Sequence, residues 1–161
     1  MSIRDATEAD LPGILALYND VIATSNAVYT ETPSTLADRQ AWFAARCAGN
    51  FPVVVAAENS VLGFASFGDF RPWPGYARSV EHSVYVTQDA RGRGIGAALV
   101  RRLIDEARAR DKHVMIGGID AGNAASMALH TRLGFAEVGR LREVARKFGH
   151  WLDLVLMQRM L

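Results

Sequence analysis

Leu11, Ile14, Leu15, Tyr18 and Ile22 recur three and four positions apart, which predicts an amphipathic helix near the start of the chain. Asp10 stands at its capping position. Pro12 falls in its first turn, where a missing N–H does little harm. Ile3 opens a short strand before it. Leu36, Phe43 and Cys47 mark a second helix behind a Ser34 or Thr35 cap, and Gly49-Asn50 ends it. The period then changes. Phe51–Ala57 is apolar and valine-rich, so it reads as a buried strand, and Val61–Phe67 returns as its partner after the Asn59-Ser60 turn.

Arg71-Pro72-Trp73-Pro74-Gly75-Tyr76 cannot continue a sheet, because proline offers no N–H to a ladder. Val80–Val86 is the next strand. Ile95, Leu99, Leu103 and Ala107 then set out a long helix, and His113–Ile119 reads as another strand. Asn123–Leu133 is a short helix stopped by Gly134, with last strands at Phe135–Val138 and Leu152–Met157. Hairpins early and a strand–helix–strand–helix unit later predict an α/β fold, a mixed central sheet with helices on both faces. No linker or repeat divides the chain, so residues 1–161 read as one domain.

Charge changes the picture by exclusion. Lys and Arg number 18 and Asp and Glu 17, so no general basic surface for nucleic acid is expected. The one cysteine, Cys47, allows no intrachain disulfide and suits a reducing cytoplasm. Arg4, Asp5, Glu8 and Asp10 interrupt the N-terminus where a secretion signal would be apolar, and no apolar run nears the ~20 residues of a membrane span. Four scattered histidines show no metal-ligand spacing.

The chemistry concentrates after Val86. Arg91-Gly92-Arg93-Gly94-Ile95-Gly96-Ala97 is a glycine loop at a helix start. Such a loop brings backbone N–H groups against a phosphate, helped by the helix dipole and the neighbouring arginines. A glycine turn that binds nothing is the plain alternative. Gly92-x-Gly94-x-x-Ala97 also meets a loose dinucleotide fingerprint, with Asp120 as a ribose acid. Against that, Thr87–Ala90 separates the strand from the motif, and the chain lacks room for a second mononucleotide half. No Gly-Lys-Ser/Thr follows for a Walker loop.

Arg91-x-x-Gly94-x-Gly96 resembles the acetyl-CoA pyrophosphate loop of the GNAT N-acetyltransferases. Asn123 to Phe135, ending in Leu-Gly-Phe, resembles their pantetheine-binding segment. Val80-Glu81-His82-Ser83-Val84-Tyr85-Val86 is similar to a strand of the phosphinothricin and methionine sulfone (sulfoximine) N-acetyltransferases. Glu31-Thr32-Pro33, Arg71-Pro72 and Lys147-Phe148-Gly149-His150-Trp151-Leu152-Asp153 match that family in order, so the resemblance covers nearly the whole chain. It implies a GNAT fold and acetyl-CoA as co-substrate, without a metal. Val84, Tyr85 and Val86 would pair with pantetheine, Arg91, Gly92, Arg93, Gly94, Ile95, Gly96 and Ala97 would hold the pyrophosphate, and Asn123 and Ser126 would lie near the thioester.

An α-ammonium must lose a proton before it attacks a thioester, directly or through water. Glu81 sits on the strand beside the expected thioester and is the candidate base. A solvent-facing carboxylate is the alternative, since Glu81, Ser83 and Tyr85 share one face of the strand and Val80, Val84 and Val86 the other. His82 points away from Glu81 and contributes to the substrate site through its backbone, or simply packs. His130 stands where many GNAT enzymes carry a tyrosine acid, and it either protonates the leaving thiolate or packs on its helix. Tyr29, Trp73 and Tyr76 offer an aromatic wall. Arg71, with Pro72 beside it and Arg78 as a further candidate, offers a guanidinium for paired oxygens. Ser83 completes the expected substrate set.

The expected function is transfer of acetyl from acetyl-CoA to the α-amine of phosphinothricin, methionine sulfoximine or methionine sulfone. The family resemblance implies a homodimer, in the cytoplasm, with neither nucleic-acid nor membrane partners. Acetylation of another small amine or a protein N-terminus is the alternative among enzymes, and a non-catalytic acyl-CoA-binding module the alternative outside them.

Overall fold

Strands β1 (Ser2–Asp5), β2 (Val53–Ala57), β3 (Val61–Asp69), β4 (Ser79–Val86), β5 (Val114–Asp120), β6 (Ala136–Lys147) and β7 (His150–Met160) form one sheet in the computed structural model, which describes residues 1–161. Their order is β1-β2-β3-β4-β5-β7-β6. Every neighbouring pair is antiparallel except β4 and β5, which run parallel. Helices α1 (Leu11–Thr24) and α2 (Leu36–Ala48) cover one face. Helices α3 (Ile95–Ala109) and α4 (Ala124–Arg132) cover the other.

The valine-rich run in β2 is apolar throughout because both its faces are covered. Val53 and Val55 pack with Leu11, Ile14, Leu17 and Val21 of α1, while Val54 and Ala56 pack with Leu99, Leu103 and Ala107 of α3. Leu99 and Leu103 are wholly buried. Truncating either to alanine would cost about 2–5 kcal/mol.

Three local readings need correction. The buried stripe of α1 is Leu11, Ile14, Leu17, Val21 and Ile22, and Leu15 lies only at its margin. Asp10 does not cap α1 with its side chain. Its carboxylate turns back to Arg4 at 2.8 Å and to the Thr7 N–H at 2.8 Å, closing the preceding 3-10 turn. The strand expected over Phe135–Val138 instead runs from Ala136 to Lys147, because β7 supplies a partner along most of its length. Its polar, exposed residues and its register shifts hide that strand from any alternation pattern. Thr35 is the cap of α2, accepting from the Asp38 N–H at 3.1 Å, and Cys47 is exposed.

Lys147 ends β6 almost without solvent exposure, at 1%. Its Nζ donates to the carbonyls of Ile22 (2.8 Å), Ser25 (2.6 Å) and Val28 (2.8 Å). An ammonium has three donors, and here each finds a carbonyl at or just beyond the C-terminal end of α1. Burial lowers its pKa and Glu31 opposes that shift. The contact pins the segment leading to Tyr29 against the sheet. No helix is long and apolar enough to cross a membrane.

Candidate active site

The parallel ladder between β4 and β5 is short. Ser79 pairs with Val114 and the pairing ends at His82 with Gly117, although β4 continues to Val86 and β5 to Asp120. The strands therefore splay at their C-terminal ends and leave one edge of Ser83–Val86 without a neighbouring strand. Gly117 stands at the fork. A Cβ there would lie 2.9 Å from His82 Cε1, so the glycine makes room for the imidazole. His82, Ser83, Val84 and Tyr85 line the resulting cleft from β4, Gly117, Gly118, Ile119 and Asp120 from β5, and Asn123, Ser126 and His130 from the α4 segment, with Ala27 at its side.

Beyond the cleft the chain makes a 3-10 turn at Gln88–Ala90 and then the glycine loop. Gly92 and Gly94 have φ of +78° and +77°, left-handed conformations that side chains disfavour, and no atom lies within 4 Å of a Cβ built on either. The backbone N–H groups from Gly92 through Ala97 donate to no acceptor within the protein. That run of free amides at the start of α3 is an anion cradle. Arg91 is exposed beside it. Arg93 is not free, since it pairs with Glu58 at 2.7 Å.

Strand alternation separates the polar residues of β4. Tyr85 packs against Tyr18 and Phe64 on the α1 face, and burial pushes its hydroxyl up to about 12, which suits a structural role. Glu81 and Ser83 share that face. Burial raises the Glu81 pKa, while Arg71 opposes the shift and so lies within electrostatic reach. Arg71 is exposed, stacked 4.2 Å over the Phe70 ring. His82 points to the other face, as alternation requires, and meets His130: their Nε2 atoms are 2.8 Å apart.

Other expected site residues are more dispersed. Tyr29 Oη donates to Asp120 Oδ1 at 2.8 Å, and burial with that carboxylate raises its pKa. Asn123 caps α4 by accepting from the Ser126 N–H at 3.1 Å, which leaves its amide Nδ2 for a ligand. Trp73 is 71% exposed and Pro72 is exposed with it, so neither walls a pocket within this chain. Arg78 is exposed and paired with Asp111. Sequence reasoning passed over Lys147 as a pin and Gly117 as the fork. A double glycine inside a strand was the signal available for the second.

These features fit the thioester and the pyrophosphate of acetyl-CoA: an unpaired strand edge for an extended amide chain and a run of free amides for phosphates. No group of three His, Cys, Asp or Glu is placed to hold a metal ion. Residues 14–135 match the Acetyltransferase (GNAT) family. The chain is 54% identical over 159 residues to the L-methionine sulfoximine/L-methionine sulfone acetyltransferase of Pseudomonas paraeruginosa, covering 98% of this chain and 92% of that protein. The crystal structure of a ribosomal-protein-alanine N-acetyltransferase from Brucella melitensis is similar with TM-score 0.98 and 52% identity, over 100% of both chains. A GNAT superfamily phosphinothricin acetyltransferase from Sinorhizobium meliloti, solved in complex with acetyl-CoA, is similar with TM-score 0.96 and 36% identity, over 99% of this chain and 88% of that one.

Proposed function

The chain belongs to the GNAT acetyltransferase family, and from that premise we propose that it is a single-domain enzyme acetylating the α-amine of small amino-acid analogues: methionine sulfone, methionine sulfoximine and phosphinothricin. The acetyl donor is acetyl-CoA. The observation that carries the reading is Glu81, exposed on the strand that borders the splay, its carboxyl pKa raised by desolvation and Arg71 within electrostatic reach. A zwitterion brings an ammonium that needs a base and a carboxylate that needs a cation, and this site offers one of each.

In this reading the free amides from Gly92 to Ala97 and Arg91 hold the pyrophosphate. The unpaired edge of Val84–Val86 holds the pantetheine arm, and Asn123 and Ser126 lie at the thioester. Glu81 takes the proton of the attacking amine, and the raised pKa brings it nearer the range where a base works at neutral pH. Backbone N–H groups of the splayed strand stabilise the oxyanion. Arg71, Ser83 and Tyr29 border the acceptor, and the backbone of His82 lies beside it.

The active form is read as a homodimer in the cytoplasm. Val138, Leu141, Val144, Phe148 and Trp151 are exposed on β6, β7 and the turn between them, an apolar surface that suits a second copy. The exposed Trp73 and Tyr76 would gain a wall-forming role only against such a copy. A sole, exposed thiol, Cys47, goes with a reducing compartment.

The similarity to a ribosomal-protein-alanine N-acetyltransferase favours a second reading, acetylation of a protein N-terminus. Thiol release from acetyl-CoA, measured with methionine sulfone, methionine sulfoximine, phosphinothricin, a polyamine and an alanine-starting peptide, separates the two. The proposal expects the first three to turn over fastest. Preference for the peptide would overturn it.

A further inference from the structure

Asp120 ends β5 and is the only carboxylate lining the cleft. Met115 and Ile119 belong to the core beneath α3, so alternation sends Asp120 out on the opposite face, the one Glu81 occupies. Both of its oxygens are engaged, by two different parts of the site. Oδ1 accepts from Tyr29 Oη at 2.8 Å. Oδ2 accepts from the Gly122 N–H at 3.0 Å, and the main-chain carbonyl accepts from the Asn123 N–H at 2.9 Å. The last two bonds shape the turn that brings Asn123 and Ser126 to the cleft.

The loop that carries Tyr29 has little else to hold it. Residues 26–34 make no backbone–backbone hydrogen bond. Side chains hold them instead. Lys147 takes the Val28 carbonyl, and Asn19 takes the Ser34 N–H at 2.8 Å and its carbonyl at 2.9 Å. Between those two anchors only the Tyr29 hydroxyl hydrogen-bonds outside the loop, to Asp120 and, at 3.1 Å, to the Asp153 carbonyl. A phenol has one proton to give, and the shorter contact, to a carboxylate, is the stronger of the two. Burial and that carboxylate raise the Tyr29 pKa, so the hydroxyl keeps its proton and stays a donor.

We propose that Asp120 is a positioning residue that sets the spacing of the two reactants. Through Tyr29 it fixes the loop that borders the amine, and through Gly122 it fixes the turn that borders the thioester. This rests on Tyr29 bordering the acceptor, as in the proposed reaction. One carboxylate at the mouth of the fork thus ties together two segments that the sheet does not otherwise join. It acts through Tyr29 and the turn rather than on a reacting atom. Such spacing matters because a misplacement of about 1 Å between reacting groups can cost roughly 10²-fold in rate.

A double-mutant cycle on the whole chain tests the tie. Thiol release with methionine sulfone gives kcat and KM for Tyr29→Phe, Asp120→Ala and the two combined, and calorimetry gives the acetyl-CoA Kd. Tyr29→Phe should lower kcat by roughly 10-fold and Asp120→Ala by roughly 10- to 100-fold. The combined variant should fall no further than Asp120→Ala, because both changes remove one shared contact. Asp120→Asn keeps one accepting oxygen and should lose less. Acetyl-CoA affinity should hold in Tyr29→Phe, which separates positioning from a general loosening of the fold. Effects that multiply in the combined variant would overturn the proposal, as would a kcat that falls only in step with acetyl-CoA affinity. Tyr29→Phe keeps its ring and removes one oxygen, so wild-type kcat in that variant overturns the proposal even if Asp120→Ala does not fold. A wild type that acetylates the alanine-starting peptide and not methionine sulfone would instead sink the acceptor reading, and the same cycle then runs on the peptide.

Discussion

Glu81 and His82 are consecutive on β4, yet their side chains leave opposite faces of the sheet, Glu81 toward the α1 side and His82 onto His130 of α4. The fork between β4 and β5 opens beside both. One strand therefore presents a carboxylate to one side of the sheet and an imidazole in contact with a second to the other.

Glu81→Gln should lower kcat by roughly 10² to 10⁴ at neutral pH while leaving acetyl-CoA affinity near its original value. Burial raises the Glu81 pKa, so the base form is lost earlier on acidification than for a free glutamate. Wild-type activity should fall as pH drops through that raised value. The variant should lose this acid limb. Rates measured from pH 5 to 9 check both statements.

Removing the Lys147 ammonium leaves the Ile22, Ser25 and Val28 carbonyls without their donor. Lys147→Met should cost on the order of 3 kcal/mol, since bonds to a charged group and newly orphaned carbonyls both count. Urea unfolding measures the loss. KM for the amine should also rise, because the Ser25–Val28 segment leads directly to Tyr29. An unchanged midpoint would remove the pin from the account.

Much of this arrangement was legible in the chain. The β2–β3 hairpin and the long α3 follow from apolar periodicity, the short α4 is bounded by Gly134, and the glycine loop announces itself. The length of β6 was not legible, because its residues face solvent and its register with β7 shifts twice. The His82–His130 contact was equally hidden. It joins residues 48 positions apart, and it exists only because Gly117 lacks a side chain. Lys147 reads as a surface lysine in any sequence, and its burial depends on where α1 ends.

Gly94→Ala should weaken acetyl-CoA binding and cost about 1–2 kcal/mol of stability. Space is free around a Cβ at this position, so the penalty comes from the left-handed backbone at φ +77°. Any relaxation of that conformation would turn the free amides away from their common focus. Calorimetric titration with acetyl-CoA, beside a melting curve, reads both effects. Equal affinity in wild type and variant would contradict the cradle.

Asp10 supplies a pH dependence of stability that is separate from activity. Its hydrogen bonds with Arg4 lower the carboxyl pKa to about 2, against about 3.9 in an unfolded chain. A lowered folded-state value means the contribution is fully present above about pH 4 and is lost as pH falls toward 2. Arg4 is partly exposed, so screening reduces the effect to on the order of 1 kcal/mol. Asp10→Asn should flatten the wild-type decline in unfolding free energy between pH 4 and pH 2.

The most direct test of the account is a competition in one tube. Methionine sulfone and an alanine-starting peptide share a limiting amount of acetyl-CoA, and mass spectrometry counts the two acetylated products. Their ratio is the ratio of kcat/KM. Wild-type protein should yield mainly N-acetyl methionine sulfone. Arg71→Ala should cut that product's kcat/KM by roughly 10- to 150-fold, the worth of one charged hydrogen bond at 1.4 kcal/mol per decade. A mixture dominated by acetylated peptide, with Arg71→Ala leaving the sulfone rate unchanged, would contradict the account.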